Sequence, residues 1–311
     1  MRTRNVEFYS HGDKLVGTVY LPDQYKDGEK RPCIIPCSGF TGINAVYPRL
    51  ISSELTKKGY VCLGFDYRGW APSEGDPVYT TVESEYEDIT NAYVYATQLP
   101  EVDPDNIALF GWGFAGPVVI KVAADNPQIK AAAVGNSWFK SERLLRYLLS
   151  DEEIKERAEL AKEDRIQRVL TGKGSTVDCY FFNCPAGAGT ENDYLTKTLS
   201  RVTPDIEEII ALHYGSKENF PPKHSWDFWD SMIRIDAAAD VRRLSPRHLF
   251  VVYSSEDANG KQEAESVSRV ADGNVELYEV NGSHNDWMFS DDQRFIDFSA
   301  ALSAFFDQYL R

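Results

Sequence analysis

Two polar loops near the C-terminal end hold the residues best suited to proton chemistry. His284 sits in Gly282-Ser283-His284-Asn285-Asp286, directly after the apolar run VELYEV at 275–280. Small polar neighbours make a poor setting for a core histidine, and an imidazole in such a loop can exchange protons near neutral pH. Asp257 ends Tyr253-Ser254-Ser255-Glu256-Asp257, just past the run HLFVVYS at 248–254. A carboxylate at the C-terminal end of a strand is well placed to serve a site; its plainer role is to form a turn ahead of Asn259-Gly260. A third stretch, Leu109-Phe110-Gly111-Trp112-Gly113-Phe114-Ala115-Gly116, is rich in glycine. Its spacing is wrong for a G-x-G-x-x-G phosphate fingerprint followed by a ribose-binding carboxylate, so neither a nicotinamide nor a flavin cofactor is expected. Close approach of a strand and a helix explains its small residues better.

Other groups carry weaker signals. His224, Trp226, Asp227, Trp229 and Asp230 form a dense aromatic and polar cluster, and Trp138 and Phe139 follow another strand-like run. Such side chains either line a pocket for a flat or bulky apolar molecule or fasten one part of the chain to another. The five cysteines are Cys33, Cys37, Cys62, Cys179 and Cys184. An odd number, three of them in apolar runs, points to free buried thiols in a reducing cytoplasm. Cys33 and Cys37 share a face if they lie on one strand, but no partner cluster completes a metal site.

These residues must be positioned by a regular scaffold. The first 21 residues alternate as an antiparallel hairpin turning at His11-Gly12-Asp13. Apolar runs then recur with little alternation: CIIPC (33–37), VCLGFDY (61–67), NIALFG (106–111), KAAAVG (130–135), HLFVVYS (248–254) and VELYEV (275–280). Such runs are what strands buried on both faces require. Segments 47–58 and 83–99 have helical periodicity, and Phe295, Phe298, Leu302, Phe305 and Tyr309 mark one side of a terminal helix. The alternation predicts an α/β fold with a mostly parallel sheet and right-handed crossovers. It lapses from about 140 to 243, where a charged run (SDEEIKERAELAKEDRIQRVL) and the aromatic KHSWDFWD segment read as an inserted helical cap. The expected organisation is a core of residues 1–139 and 244–311 with a cap of residues 140–243.

Composition narrows the partners. Hydrophobic residues make up 42% of the 311, and the net charge is -15 from 33 Lys+Arg against 48 Asp+Glu. An acidic surface repels phosphate backbones and anionic lipid, so neither nucleic acid nor a membrane is expected as partner. The N-terminal segment has no apolar stretch resembling a signal peptide. The expectation is a cytoplasmic protein with a small-molecule substrate, with no metal or cofactor, and with self-association into a homo-oligomer left open.

At this point the chain resembles the α/β-hydrolase superfamily, and within it the serine hydrolases that include dienelactone hydrolases, acyl-peptide-type peptidases and cocaine-esterase-like enzymes. Pro36-Cys37-Ser38-Gly39-Phe40 stands where that family often carries a His-Gly loop. Asp66-Tyr67-Arg68-Gly69, with Ser73 and Glu74-Gly75, is similar to its D-x-R-G-x-G-x-S loop, from which Trp70-Ala71 departs. Residues 111–115 resemble the G-x-S-x-G elbow that lifts a nucleophilic serine above the sheet. Here Gly113 takes the place of the serine, and Ala115 that of the second glycine. The resemblance implies His284 as general base and Asp257 as the carboxylate that orients it, Glu256 being the substitute considered. It also implies an oxyanion hole from the backbone N–H groups of Phe114 and Phe40. Cys37, Trp112, Trp138, His224, Trp226 and Trp229 are the candidates for the substrate pocket. Neither Cys37 nor Ser38 is expected to replace the missing nucleophile.

Three accounts follow from a hydrolase framework without its serine. One is an ester, lactone or amide hydrolase in a form whose serine was exchanged for glycine. Another is a non-covalent lyase, cyclase or isomerase using His284 and Asp257 as acid and base. The last is a ligand-binding protein on a catalytically dead scaffold.

Overall fold

In the computed structural model the placement of residues 1–39, 41–178, 202–216, 219–257 and 260–311 is described. The alternating N-terminal segment forms β1 (Arg2–Ser10) and β2 (Asp13–Leu21), paired antiparallel about the His11-Gly12 turn. The apolar runs become β3 (Arg31–Cys37), β4 (Val61–Phe65), β5 (Val102–Trp112) and β6 (Ala131–Gly135). Further along lie β7 (Thr176–Val177), β8 (His224–Ser225), β9 (His248–Ser254) and β10 (Val275–Val280). Eight strands make one sheet in the order β1-β2-β4-β3-β5-β6-β9-β10, parallel from β4 to β10; β7 and β8 pair separately.

β5 begins four residues before the apolar run NIALFG (106–111) that marks it in the sequence. Val102 pairs with Arg31, the register then shifts, and pairing resumes at Cys33 with Ile107. Pro104 has no N–H to give a ladder, and the irregularity absorbs it.

The strands are apolar on both faces because helices cover both. On one side lie α1 (Tyr47–Lys57) and the terminal α10 (Gln293–Leu310), whose Phe295, Phe298, Leu302 and Phe305 are all buried. On the other lie α2 (Val82–Ala96), α3 (Ala115–Asp125), α8 (Ala238–Leu244) and α9 (Gly260–Val270). Thr81 and Ser84 form a capping box that starts α2, satisfying N–H groups a helix start leaves bare.

Between β6 and β9 come α4 (Ser141–Leu148), α5 (Asp151–Thr171), α6 (Ile206–Tyr214) and α7 (Trp226–Met232). The charged run is α5, begun by a Ser150/Glu153 capping box and ended by left-handed Gly172. A second, smaller apolar cluster joins α4, α5 and α7 to the elbow: Leu145, Leu149, Ala161, Trp226, Phe228, Trp229 and Met232 close around Phe114, while α6 packs Ile206 and Ile210 into the main core. Among the described residues no helix is long and apolar enough to cross a membrane.

Candidate active site

The β5–α3 turn is the sharpest feature at the C-terminal edge of the sheet. β5 ends at Trp112, Gly113 takes the left-handed φ of 55°, and α3 starts at Ala115. Gly113 N–H donates to Gly135 O at 2.8 Å, which ties the turn to the end of β6. Strand and helix press together here: a Cβ on Gly111 would lie 2.9 Å from Ala115 O and from Val119 Cγ2. Among the described residues, a Cβ on Gly113 would meet nothing within 4 Å. The turn has the shape of a nucleophile elbow, and its apex has room for a Cβ among the described residues.

The next loop along the sheet edge lies against this turn. A Cβ on Gly39 would sit 2.8 Å from Trp112 O and 3.7 Å from Phe114 N. Gly39 thus brings its loop into contact with the N–H that the sequence reading assigns to an oxyanion hole. Phe40, the other donor expected there, lies outside the described residues, as do Cys179, Cys184 and Asn259. Phe114 is buried, stacked on Phe228 with ring centroids 5.3 Å apart and tilted against Trp138 at 5.4 Å.

His284 and Asp257 come together from adjacent strand ends. The β9–β10 pairing continues past the strands through Ser255 N–H to Val280 O and Glu256 N–H to Gly282 O, so the two loops run side by side. His284 Nδ1 lies 2.8 Å from Asp257 Oδ2. A carboxylate there fixes the ring proton on Nδ1 and leaves Nε2 as the basic nitrogen. Glu256, the alternative acid, is exposed. The imidazole side chain is 41% exposed, so a small molecule or water can reach it. Its ring stands 6.0 Å from that of Trp112, the residue preceding Gly113. Trp112 is buried and wedged between Tyr47 and Trp287 at 5.2 and 5.6 Å. Gly135 makes room for it, since a Cβ there would fall 2.5 Å from the indole.

Most of the expected pocket residues are packed. Cys37 ends β3 fully buried, with its Sγ 3.5 Å from Ile35 O, and burial pushes its thiol well above the usual range. A neutral, enclosed thiol is neither a nucleophile nor an open pocket wall. Trp226 and Trp229 are buried in the joint of α7 with α4 and α5, where Trp229 also floors a cleft between Leu145 and Ile154. His224 is buried against Phe228 at 5.0 Å, with Nδ1 3.0 Å from Pro77 O; burial lowers its pKa to about 4, keeping the ring neutral. Of this group only Trp138 stays half-buried. Cys33, Cys37 and Cys62 are free and buried, and no group of metal-ligating side chains occurs among the described residues.

The surrounding loops were not singled out from the sequence as site residues. Tyr47 Oη donates to Asn285 Oδ1 at 2.9 Å, linking α1 to the histidine loop. Asn136, just after β6, bonds to Ser254 and to the main chain of His284. The one signal in the sequence was an asparagine directly after an apolar run, where a left-handed residue often ends a strand. Arg68 proves to be a clamp: its guanidinium reaches Asp88 at 2.7 Å and Ser10 at 3.0 Å, holding its loop to α2 and β1.

Residues 11–147 match the family described as X-Pro dipeptidyl-peptidase (S15 family). That span contains the elbow but neither Asp257 nor His284. The quorum-quenching protein AidA of Acinetobacter baumannii is 30% identical over 128 residues, 41% of each chain. The thiohydrolase aneE of Aspergillus aculeatus is 30% identical over 128 residues, 40% of this chain and 38% of its own. The chain thus spans about two fifths of the length of these curated relatives (41% and 38%). Among solved structures, the alpha/beta hydrolase GrgF from Penicillium sp. sh18 superposes with a TM-score of 0.76 at 20% identity, covering 100% of this chain and 99% of that one. With its parallel sheet, its elbow turn and these likenesses, the chain has the α/β-hydrolase fold.

Proposed function

We propose that the protein is an enzyme of acyl chemistry on small organic molecules, cleaving an ester, thioester, lactone or amide without a covalent intermediate. The observation that carries this reading is an Asp257–His284 pair beside an elbow turn whose Gly113 leaves open room. In the proposed step, Nε2 of His284 takes a proton from a water held over Gly113. The water oxygen bonds to the carbonyl carbon, and negative charge collects on the carbonyl oxygen near the N–H of Phe114, with Phe40 as the second donor. Collapse of the adduct breaks the bond to the leaving group, which receives the proton from His284. Asp257 stabilises the transient imidazolium and keeps its ring aligned.

The thiohydrolase name of one relative supports a thioester as the first substrate class to try. Residues 140–243 are taken as a cap serving this site, with the half-buried Trp138 as its candidate contact to the substrate. A second reading, removal of a proton from carbon next to a carbonyl, is favoured by the same missing hydroxyl and needs no nucleophile. It would give lyase, cyclase or isomerase chemistry.

The test is turnover of a panel of acyl thioesters, aryl esters and lactones by the protein and by His284→Ala. A general base of this kind is worth about 10²- to 10⁴-fold, and a loss of that order is expected. Unchanged turnover in the variant would remove His284 from the mechanism. Exchange of substrate C–H for deuterium without hydrolysis would favour the second reading, and a ligand held unaltered would leave only binding.

A further inference from the structure

Asn136 occupies an unusual place for a buried polar residue. It follows β6 directly, adopts a left-handed φ of 43°, and is 4% exposed. Its own N–H donates to Val252 O at 2.9 Å, anchoring it to β9. Its side-chain Oδ1 accepts the Ser254 N–H at 2.8 Å. The two hydrogens of Nδ2 go to Ser254 Oγ at 2.8 Å and to the main-chain oxygen of His284 at 2.6 Å. Donors and acceptor of the amide are therefore all engaged, as burial demands. Ser254 Oγ also accepts from Trp287 Nε1 at 2.8 Å, which ties in the far side of the same loop.

We infer that Asn136 is a positioning residue for the base: by holding the His284 carbonyl, it sets where the imidazole stands relative to Asp257. This rests on reading His284 as that base. The carboxylate side is gauged from the same post, because Asp257 N–H donates to Ser254 O at 3.2 Å. Both members of the pair are thus referenced to the Asn136–Ser254 unit, one through its carbonyl and the other through its N–H. On the opposite flank, Tyr47 holds Asn285 by its side chain. The Asn136 bond ends on the main chain of His284 itself. Asparagine meets both requirements of the position: it tolerates the left-handed backbone better than most residues with a side chain, and its amide supplies hydrogens to two oxygens. An aspartate would keep the acceptor and lose both hydrogens.

Two variants separate positioning from plain packing. Asn136→Gly keeps the left-handed backbone and removes the whole amide. Asn136→Asp keeps an oxygen for the Ser254 N–H but faces the His284 carbonyl with a second acceptor. The ring proton on His284 Nδ1 is followed by NMR, and its exchange with solvent is measured along with kcat, KM and Tm. In both variants the ring proton should exchange at least about tenfold faster, and kcat should fall roughly 10- to 100-fold with KM within about twofold, the scale of a misplacement near 1 Å. Asn136→Asp with wild-type ring-proton exchange and kcat would overturn the inference. So would Asn136→Gly with a lowered Tm but an unchanged ring proton. If the ring proton loosens while His284→Ala leaves turnover intact, the positioning role stands and the base reading falls.

Discussion

Restoring a hydroxyl at the elbow is the sharpest perturbation available. Gly113→Ser places a Cβ where no described residue lies within 4 Å, so its Cβ brings no overpacking cost from them. The cost is in the backbone. At φ 55° an L-residue is strained by roughly 1–2 kcal/mol, and a stiffer unfolded chain returns about 0.5–1 kcal/mol. The net loss is about 1 kcal/mol, or a Tm fall of about 1–2 °C for a chain of this size. Gly111→Ser makes the contrast two residues away. Its Cβ would sit 2.9 Å from a backbone oxygen and from Val119, so its loss should be larger, about 1–3 kcal/mol or more. In activity, the Gly113 variant should gain a covalent route. An aryl ester should give a stoichiometric burst of alcohol, and mass spectrometry should find the acyl group on the serine. A fluorophosphonate should label that serine and leave the parent protein untouched. A folded Gly113→Ser with neither burst nor label would show that His284 does not address position 113, and the geometry argued above would be wrong.

Two predictions concern buried titratable groups. Burial raises the Asp66 carboxyl from 3.8 to about 8, opposed only by the N–H of Asn44 at 2.8 Å. The unfolded chain releases this proton above pH 3.8 while the folded chain keeps it until about 8, so Asp66 makes stability fall as pH rises through that window. Asp66→Asn should therefore gain on the parent between pH 4.5 and 8, by up to about 5 kcal/mol given about 1.4 kcal/mol per pH unit. A gap in Tm that does not change with pH would refute this. His224 behaves in the opposite way, held down at about 4 by burial. The unfolded chain takes up its proton below 6.5 and the folded chain resists until about 4, so its stabilisation is present above 6.5 and lost on acidification. His224→Phe should lose Tm at pH 7, where the Pro77 bond is missed, and should approach the parent toward pH 4.5; parallel melting curves would count against it.

The scaffold was legible because its signals are local and repeated. The hairpin alternates, and CIIPC or HLFVVYS are too apolar for anything but strands covered on both sides. The meeting of Asp257 with His284 could be anticipated because loop ends after strands are short and leave few candidates. The cap aromatics were not legible. A run such as Trp226-Asp227-Phe228-Trp229 reads alike whether its rings face a cavity or a neighbouring helix, and only the positions of Leu145, Leu149 and Ala161 show Trp226 and Trp229 to be packing. Asn136 was illegible for a different reason. Its partners Ser254 and His284 lie 118 and 148 residues away, and no pattern within the β6 run announces a bond of that span.

The glycine at the elbow bears on function through what surrounds it. Loss of a nucleophile alone would leave the rest of the site free to drift, because nothing in folding requires a half-exposed imidazole to face a carboxylate. A histidine used only for packing would be buried and neutral, as His224 is. His284 is instead 41% exposed, bonded to Asp257, and held by its main chain to a fully satisfied buried amide. Ordering an exposed side chain costs conformational entropy, and a surface pair of this kind contributes little stability to offset it. On the proposed reading, a site held in this order beside a left-handed elbow with glycine at position 113 suits a reaction that needs the base and not a serine. The shape left over Gly113 then belongs to that reaction as the place of a water or of a proton-bearing atom of the substrate.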